Sequence, residues 1–247
     1  TTGHSNVAVG QGALDANTEA NQNTAIGTDA LTTATTAGSN TAIGHDALCA
    51  TTTGGQNNAF GDGTMAANTT GCRNVAMGNG VMVKNTEGLC NTALGHIVLQ
   101  CNVTGDNNTA VGASALHKNT ADSNTAVGHS TLACNTTGTL NTAVGVCSSF
   151  AMTTGQQNIS MGGSSLVANT TGSRNSALGQ SSLAVNVSGN DNVAVGHGSL
   201  SANTTAHENT AAGRASLQAN TTGTANVGVG FKSLNANTEG ACNTAVG

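Results

Sequence analysis

Proline, tryptophan and tyrosine are missing from this chain, and phenylalanine occurs three times. Charged residues fill 7% of the 247 positions, against roughly a quarter in ordinary soluble domains. Without large rings a compact core is hard to build, because aromatic side chains supply much of its buried area. Low hydrophobicity can also signal disorder, but disorder usually goes with high net charge, and here the net charge is −5. There is no apolar run of about 20 residues to span a bilayer, and no signal-peptide pattern at Thr1. Six lysines and arginines, scattered along the chain, give no electrostatic footprint for nucleic acid.

What is present is a period. Glycine recurs at 10, 27, 44, 61, 78, 95, 112, 128, 145, 162, 179, 196, 213, 230 and 247, in steps of 17 except for one step of 16. A fixed period of this size marks a stacked-repeat architecture. The unit reads N-T-A-V-G-x-x-A/S-L-x-A-N-T-T-G-x-x. It runs over 1–247 as one array, with the single 16-residue coil at 113–128 and no linker or cap.

Comparison of copies assigns each position. Four before the glycine stands asparagine in all 15 copies: Asn6, Asn23, Asn40, Asn57, Asn74, Asn91, Asn108, Asn124, Asn141, Asn158, Asn175, Asn192, Asn209, Asn226 and Asn243. Just before the glycine the residue is always apolar. Four after it comes Leu or Met in 13 of 14 copies; at the exception Ser149 takes the slot and Phe150 follows one place late. Eight after it comes Thr, or Val at 103 and 187.

A helix is excluded, because a glycine and two asparagines per unit weaken it and the apolar sites do not follow a 3.6-residue period. Short runs bounded by Gly and Asn fit strands. The fold class expected is all-β: a parallel β-solenoid with one 17-residue coil per repeat and about 14 coils. T-A-V would be one strand, A/S-L a second strand or bend, and N-T-T-G a third strand and turn. Corresponding strands would pair in parallel about 4.8 Å apart, giving a rod of roughly 65–70 Å. The invariant asparagines are expected to stack as a structural ladder, each amide bonding the next.

Two before the glycine the residue is Ala, except at Ser160 and Gly228. It points away from its apolar neighbour in an alternating strand, so both faces of T-A-V read as buried. The expected cover is a second layer of the same coil or another copy of the chain, as in a homo-oligomeric shaft.

The unit, as in Asn141-Thr142-Ala143-Val144-Gly145 and Asn169-Thr170-Thr171-Gly172, resembles repeats of bacteriophage tail-fibre shafts and of bacterial and environmental extracellular fibre proteins. It also looks like the shorter N-S-V-A-I-G repeats in the heads of trimeric autotransporter adhesins. The resemblance implies a trimeric β-roll or shaft exposed outside a cell or virion.

Chemistry-bearing residues are scattered. His45, His96, His129 and His197 follow repeat glycines at a site that accepts many residues, and His4, His117 and His207 occupy other variable sites. No two histidines have metal-ligand spacing. Asp29 and Asp46 stack on adjacent coils without an enclosing pocket. Gly61-Asp62-Gly63 is a scrap of a calcium repeat, and Gly10-x-Gly12 lacks the helix and lysine of a phosphate loop. Neither catalysis nor a cofactor is expected.

Of seven cysteines, Cys72 and Cys90 lie one coil plus one residue apart and are candidates for a disulfide staple. N-x-S/T sequons at Asn68, Asn102, Asn135, Asn169, Asn186, Asn203 and Asn220 fall on N-T-T, expected to be an exposed turn; Asn158 carries one elsewhere. These are candidate glycan sites, and the abundant Thr and Ser could carry O-linked sugars instead.

The function expected is therefore structural: an extracellular, filament-forming rod, able to join end to end and to carry glycans. A phage or adhesin shaft is the alternative. An ice-binding protein is the second, because Thr columns on a flat solenoid face suit ordered water.

Overall fold

In a computed structural model the described residues are 2–247. The turn expected at the start of the chain falls partly on Thr1, outside them. Every strand is the three-residue T-A-V stretch of one repeat: β1 (Val7–Val9), β2 (Thr24–Ile26), β3 (Thr41–Ile43), β4 (Asn58–Phe60), β5 (Val75–Met77), β6 (Thr92–Leu94), β7 (Thr109–Val111), β8 (Thr125–Val127), β9 (Thr142–Val144), β10 (Ile159–Met161), β11 (Ser176–Leu178), β12 (Val193–Val195), β13 (Thr210–Ala212), β14 (Val227–Val229) and β15 (Thr244–Val246). The protein is an all-β parallel β-solenoid without helices among the described residues.

The chain forms two compact units that meet in sequence between Ser123 and Asn124, inside the 16-residue coil. In the first, β1 to β7 pair in parallel in chain order. In the second, β8 to β15 do the same. The register equals the repeat: Val7 lies opposite Thr24, and Ser176 opposite Val193.

The expected second and third strands do not form. The A/S-L segment is a turn and N-T-T a bend. Coil-to-coil hydrogen bonds continue through both, as from Leu31 N to Ala47 O at 3.0 Å and from Thr86 N to Val103 O at 2.9 Å. The reason is backbone handedness. The repeat glycine, the residues two and four after it, and the residue just before the next asparagine all have positive φ. The core leucines adopt φ between 46° and 54°. A left-handed residue costs about 1–2 kcal/mol, while burying a leucine contributes about 1.5–3 kcal/mol. Burial wins, and the bent coil turns the leucine inward. At the repeat glycine φ is 119–141°, and a Cβ on Gly27 would lie 2.4 Å from Gly44 O. No other residue fits there.

The interior of the second unit alternates the strand alanine of one coil with the turn leucine: Leu166, Ala177, Leu183, Ala194, Leu200, Ala211 and Leu217, all 0% exposed. Alanine recurs at the strand centre because the opposite wall of the same coil faces it. At the Gly228 exception a Cβ would meet Ser216 Oγ at 2.7 Å and Leu217 Cγ at 3.3 Å. The strand residues on either side of each alanine point outward and are half-buried or exposed. Of the two covers expected for the alanine face, the coil's own second layer is the one present.

Candidate functional site

Two asparagine columns run inside the coils. In the first, at the strand-leading asparagine, each backbone N–H donates to Oδ1 of the asparagine one coil earlier. These distances are 2.9–3.0 Å from Asn23 to Asn108 and 2.9–3.1 Å from Asn141 to Asn243. From Asn6 to Asn226 each Nδ2 donates across the coil to a turn carbonyl, as from Asn175 to Gly189 O at 2.8 Å.

The second column stands seven after the glycine and contains the sequon asparagines. Asn68, Asn102, Asn135, Asn169, Asn186, Asn203 and Asn220 are all 0% exposed. This corrects the expectation of an exposed turn. Nδ2 of Asn186 donates to Asn169 Oδ1 at 2.9 Å and to Gly189 O at 3.1 Å. Asn85, Asn102, Asn203 and Asn237 bond their predecessors in the same way. An N-linked sugar on such an amide would have to break the stack. Asn158 is buried as well, at 1% exposure.

Where a coil carries both asparagines, the columns meet at one atom. Gly189 O accepts from both Asn175 and Asn186, Gly105 O from both Asn91 and Asn102, and Gly240 O from both Asn226 and Asn237. A third column lies outside them: the first threonine of N-T-T donates Oγ1 to the matching carbonyl of the next coil, as from Thr69 to Thr86 O at 3.0 Å and from Thr221 to Thr238 O at 3.0 Å. The second threonine, such as Thr171 or Thr222, is exposed.

The 16-residue coil keeps this scheme. Ala121 O accepts from Asn108 at 2.8 Å and from Asn119 at 2.7 Å. Ala121 therefore plays the turn-glycine role, and the residue omitted is the exposed second threonine.

One coil departs in composition. Ser149, in the leucine slot, is buried, and Phe150 is 39% exposed. Ser149 Oγ lies 2.8 Å from Ser160 Oγ, and Ser148 Oγ lies 2.7 Å from Ser160 Oγ and 2.9 Å from Ser165 Oγ. Met152 replaces the second-column asparagine in the same coil and is 0% exposed; Asn158 Nδ2 lies 3.8 Å from its sulfur. The serine cluster in the core and the methionine in the ladder fall in the same coil.

Cys72 and Cys90 are both free thiols. The 17-residue register sets Leu89, not Cys90, over Cys72, and the two cysteines share only a backbone bond, Cys90 N to Cys72 O, at 3.1 Å. The proposed staple is absent. Burial, then the charge of Asp46, pushes the Cys49 thiol pKa up.

Among the histidines, His45 Nδ1 lies 3.1 Å from Asp62 Oδ1 and 3.4 Å from Asp46 Oδ2 on an exposed edge. No group of three or more His, Cys, Asp or Glu able to hold a metal occurs among the described residues. No helix among the described residues is long and apolar enough to cross a membrane. The site six before each repeat glycine varies in the sequence, yet its side chain often accepts a backbone N–H of the previous coil. Asn21 does this for His4, Asp106 for Leu89, Asn190 for Ser173 and His207 for Asn190.

No family model, curated protein or solved structure matches the chain.

The remaining feature is the outward strand face. The residue just before each glycine is apolar in every copy, yet it is exposed in most: Ile26 38%, Met77 46%, Val144 37%, Met161 42% and Val195 40%. Its outward neighbour, two residues earlier, is mostly Thr or Val.

Proposed function

We propose that this chain is a structural protein, a rigid β-solenoid rod serving as the shaft or repeating body of an extracellular fibre. The observation that carries this reading is the convergence of both amide columns on one carbonyl in the coils that carry both asparagines. Within each unit neighbouring coils are tied by strand bonds and, in most coils, by two asparagine columns and a threonine column. Bonds repeated along one direction resist bending and local opening, which is what a shaft requires. The resemblance of the N-T-A-V-G unit to fibre and tail-fibre shaft repeats supports the same reading, including an extracellular location. Sugars on such a rod would sit on exposed hydroxyls such as Thr171 rather than on the buried sequon amides.

Negative-stain electron microscopy of the purified chain tests this. Straight particles of roughly 65–70 Å are expected, and flexible or globular particles would overturn the reading. The outward threonine column gives some support to ice binding. The neighbouring column argues against it, because Phe60, Met77, Met161 and Ala212 make it uneven, whereas ordered water needs a regular surface. Thermal hysteresis at millimolar protein would reverse that preference.

A further inference from the structure

We infer that the first unit carries a carboxylate-binding row, formed by the backbone N–H groups of Asn21, Gly38, Gly55 and Cys72 and completed by the guanidinium of Arg73. The four residues occupy the site six before the repeat glycine in successive coils. Their carbonyls are used, each accepting a backbone N–H from the next coil at 2.9–3.1 Å. Their own N–H groups have no acceptor among the described residues. Elsewhere in the unit this N–H is taken by a side chain of the next coil. His4 N donates to Asn21 Oδ1 at 2.7 Å, Leu89 N to Asp106 Oδ1 at 2.7 Å and Asp106 N to Asp122 Oδ1 at 2.8 Å. Over Asn21 and Gly38 the next coil offers only glycine. A Cβ on Gly38 would stand 3.8 Å from Asn21 N, and one on Gly55 3.8 Å from Gly38 N. The side chains these glycines lack are the ones that would cover the donors. Cys72 and Leu89 follow over the next two N–H groups and hold no side-chain oxygen.

Three features select a carboxylate. The chain itself places one on the same donor: Asp106 on Leu89 N and Asp122 on Asp106 N. A bond from a backbone N–H to a carboxylate is charge-assisted, shorter and stronger than one to a neutral oxygen such as that of water. The second feature is charge. The adjoining column, five before the glycine, holds Gln22, Ser39, Gln56 and Arg73 in these coils and no carboxylate. Arg73 Nε donates to Gln56 Oε1 at 3.2 Å, which holds the guanidinium against the coil of Gly55. Asp29, Asp46 and Asp62 stand just after repeat glycines, at the opposite end of the strand. The third feature is access, because all four donor residues are half-buried rather than sealed. The donors recur at the coil spacing of about 4.8 Å. A small carboxylate meets two of them at most, while an extended acidic chain can meet all four. The inference goes beyond the rod reading and does not depend on it, since the donors belong to the coils whatever the rod is built into.

The test is an NMR titration of the full chain with sodium acetate, against sodium chloride at equal ionic strength, following the backbone amides. Those of Asn21, Gly38, Gly55 and Cys72 are expected to shift saturably with acetate in the millimolar range and not with chloride. The amide of Leu89, already taken by Asp106, should stay in place. Gly38→Asn sets over Asn21 the same residue that Asn21 sets over His4, and should remove the Asn21 shift. Arg73→Gln changes an exposed side chain outside the ladders and should weaken acetate about two- to fivefold with an unchanged circular dichroism spectrum. If Gly38→Asn unfolds, Arg73→Gln is read alone. A linear oligouronate separates the sources of the carboxylate: tighter binding per carboxylate than acetate assigns the row to an acidic polymer, and equal binding assigns it to a free carboxylate. No saturable shift with either probe, or an equal shift at Leu89, would overturn the inference. So would a persisting Asn21 shift in folded Gly38→Asn, or full affinity in Arg73→Gln.

Discussion

Asn175 is bonded through both ends of its amide. Its Oδ1 accepts from Asn192 N at 3.1 Å, and its Nδ2 donates to Gly189 O at 2.8 Å and to Asn158 Oδ1 at 3.1 Å. Leaving a buried polar group unpaired costs about 1–3 kcal/mol. Asn175→Ala strips several partners at once, so chemical denaturation should show a loss of about 2–4 kcal/mol. Thr171→Ala, at an exposed site outside the ladders, should change stability by less than about 0.5 kcal/mol. Thiols offer a second test at this scale. With its pKa raised by burial and by Asp46, Cys49 carries less thiolate at a given pH than an ordinary thiol. Alkylation near pH 8, read by mass spectrometry, should modify exposed Cys90 and Cys242 before Cys49. Equal rates would contradict the half-buried placement of Cys49 beside Asp46.

At the scale of one coil, the repeat was legible in the sequence wherever a position admits one residue type. The strand register and the first asparagine column followed from invariance. The second asparagine column gave the same signal, asparagine in 11 of 14 copies. It was hidden because N-T-T also reads as a glycosylation sequon and a surface turn. Both faces of T-A-V read as buried in the sequence, whereas only the alanine face is, because alternation gives the relation between neighbours and not which of them faces in. The left-handed leucines left no trace, since leucine has no local preference for that conformation. The serine coil shows how coils compensate. Ser160→Ala removes the partner of the Ser149 hydroxyl and should cost about 1–3 kcal/mol. Ser149→Leu combined with Ser160→Ala restores the common pair and should recover much of that in thermal melts.

For the whole molecule, stability grows by repetition: each coil adds the same bonds to its neighbours, as in other repeat proteins. The sequence carried this scale well, because a period is a global property that needs no side-chain geometry. What it could not carry was which columns face solvent. The central claim is that two asparagine columns run buried through the coils of each unit. Hydrogen–deuterium exchange of the side-chain amides, followed by NMR, tests it most directly. Nδ2 protons of Asn175 and Asn186 should exchange as slowly as the protected strand amides, while those of exposed Asn107 exchange at free-amide rates. Exchange of Asn186 as fast as that of Asn107 would contradict the account.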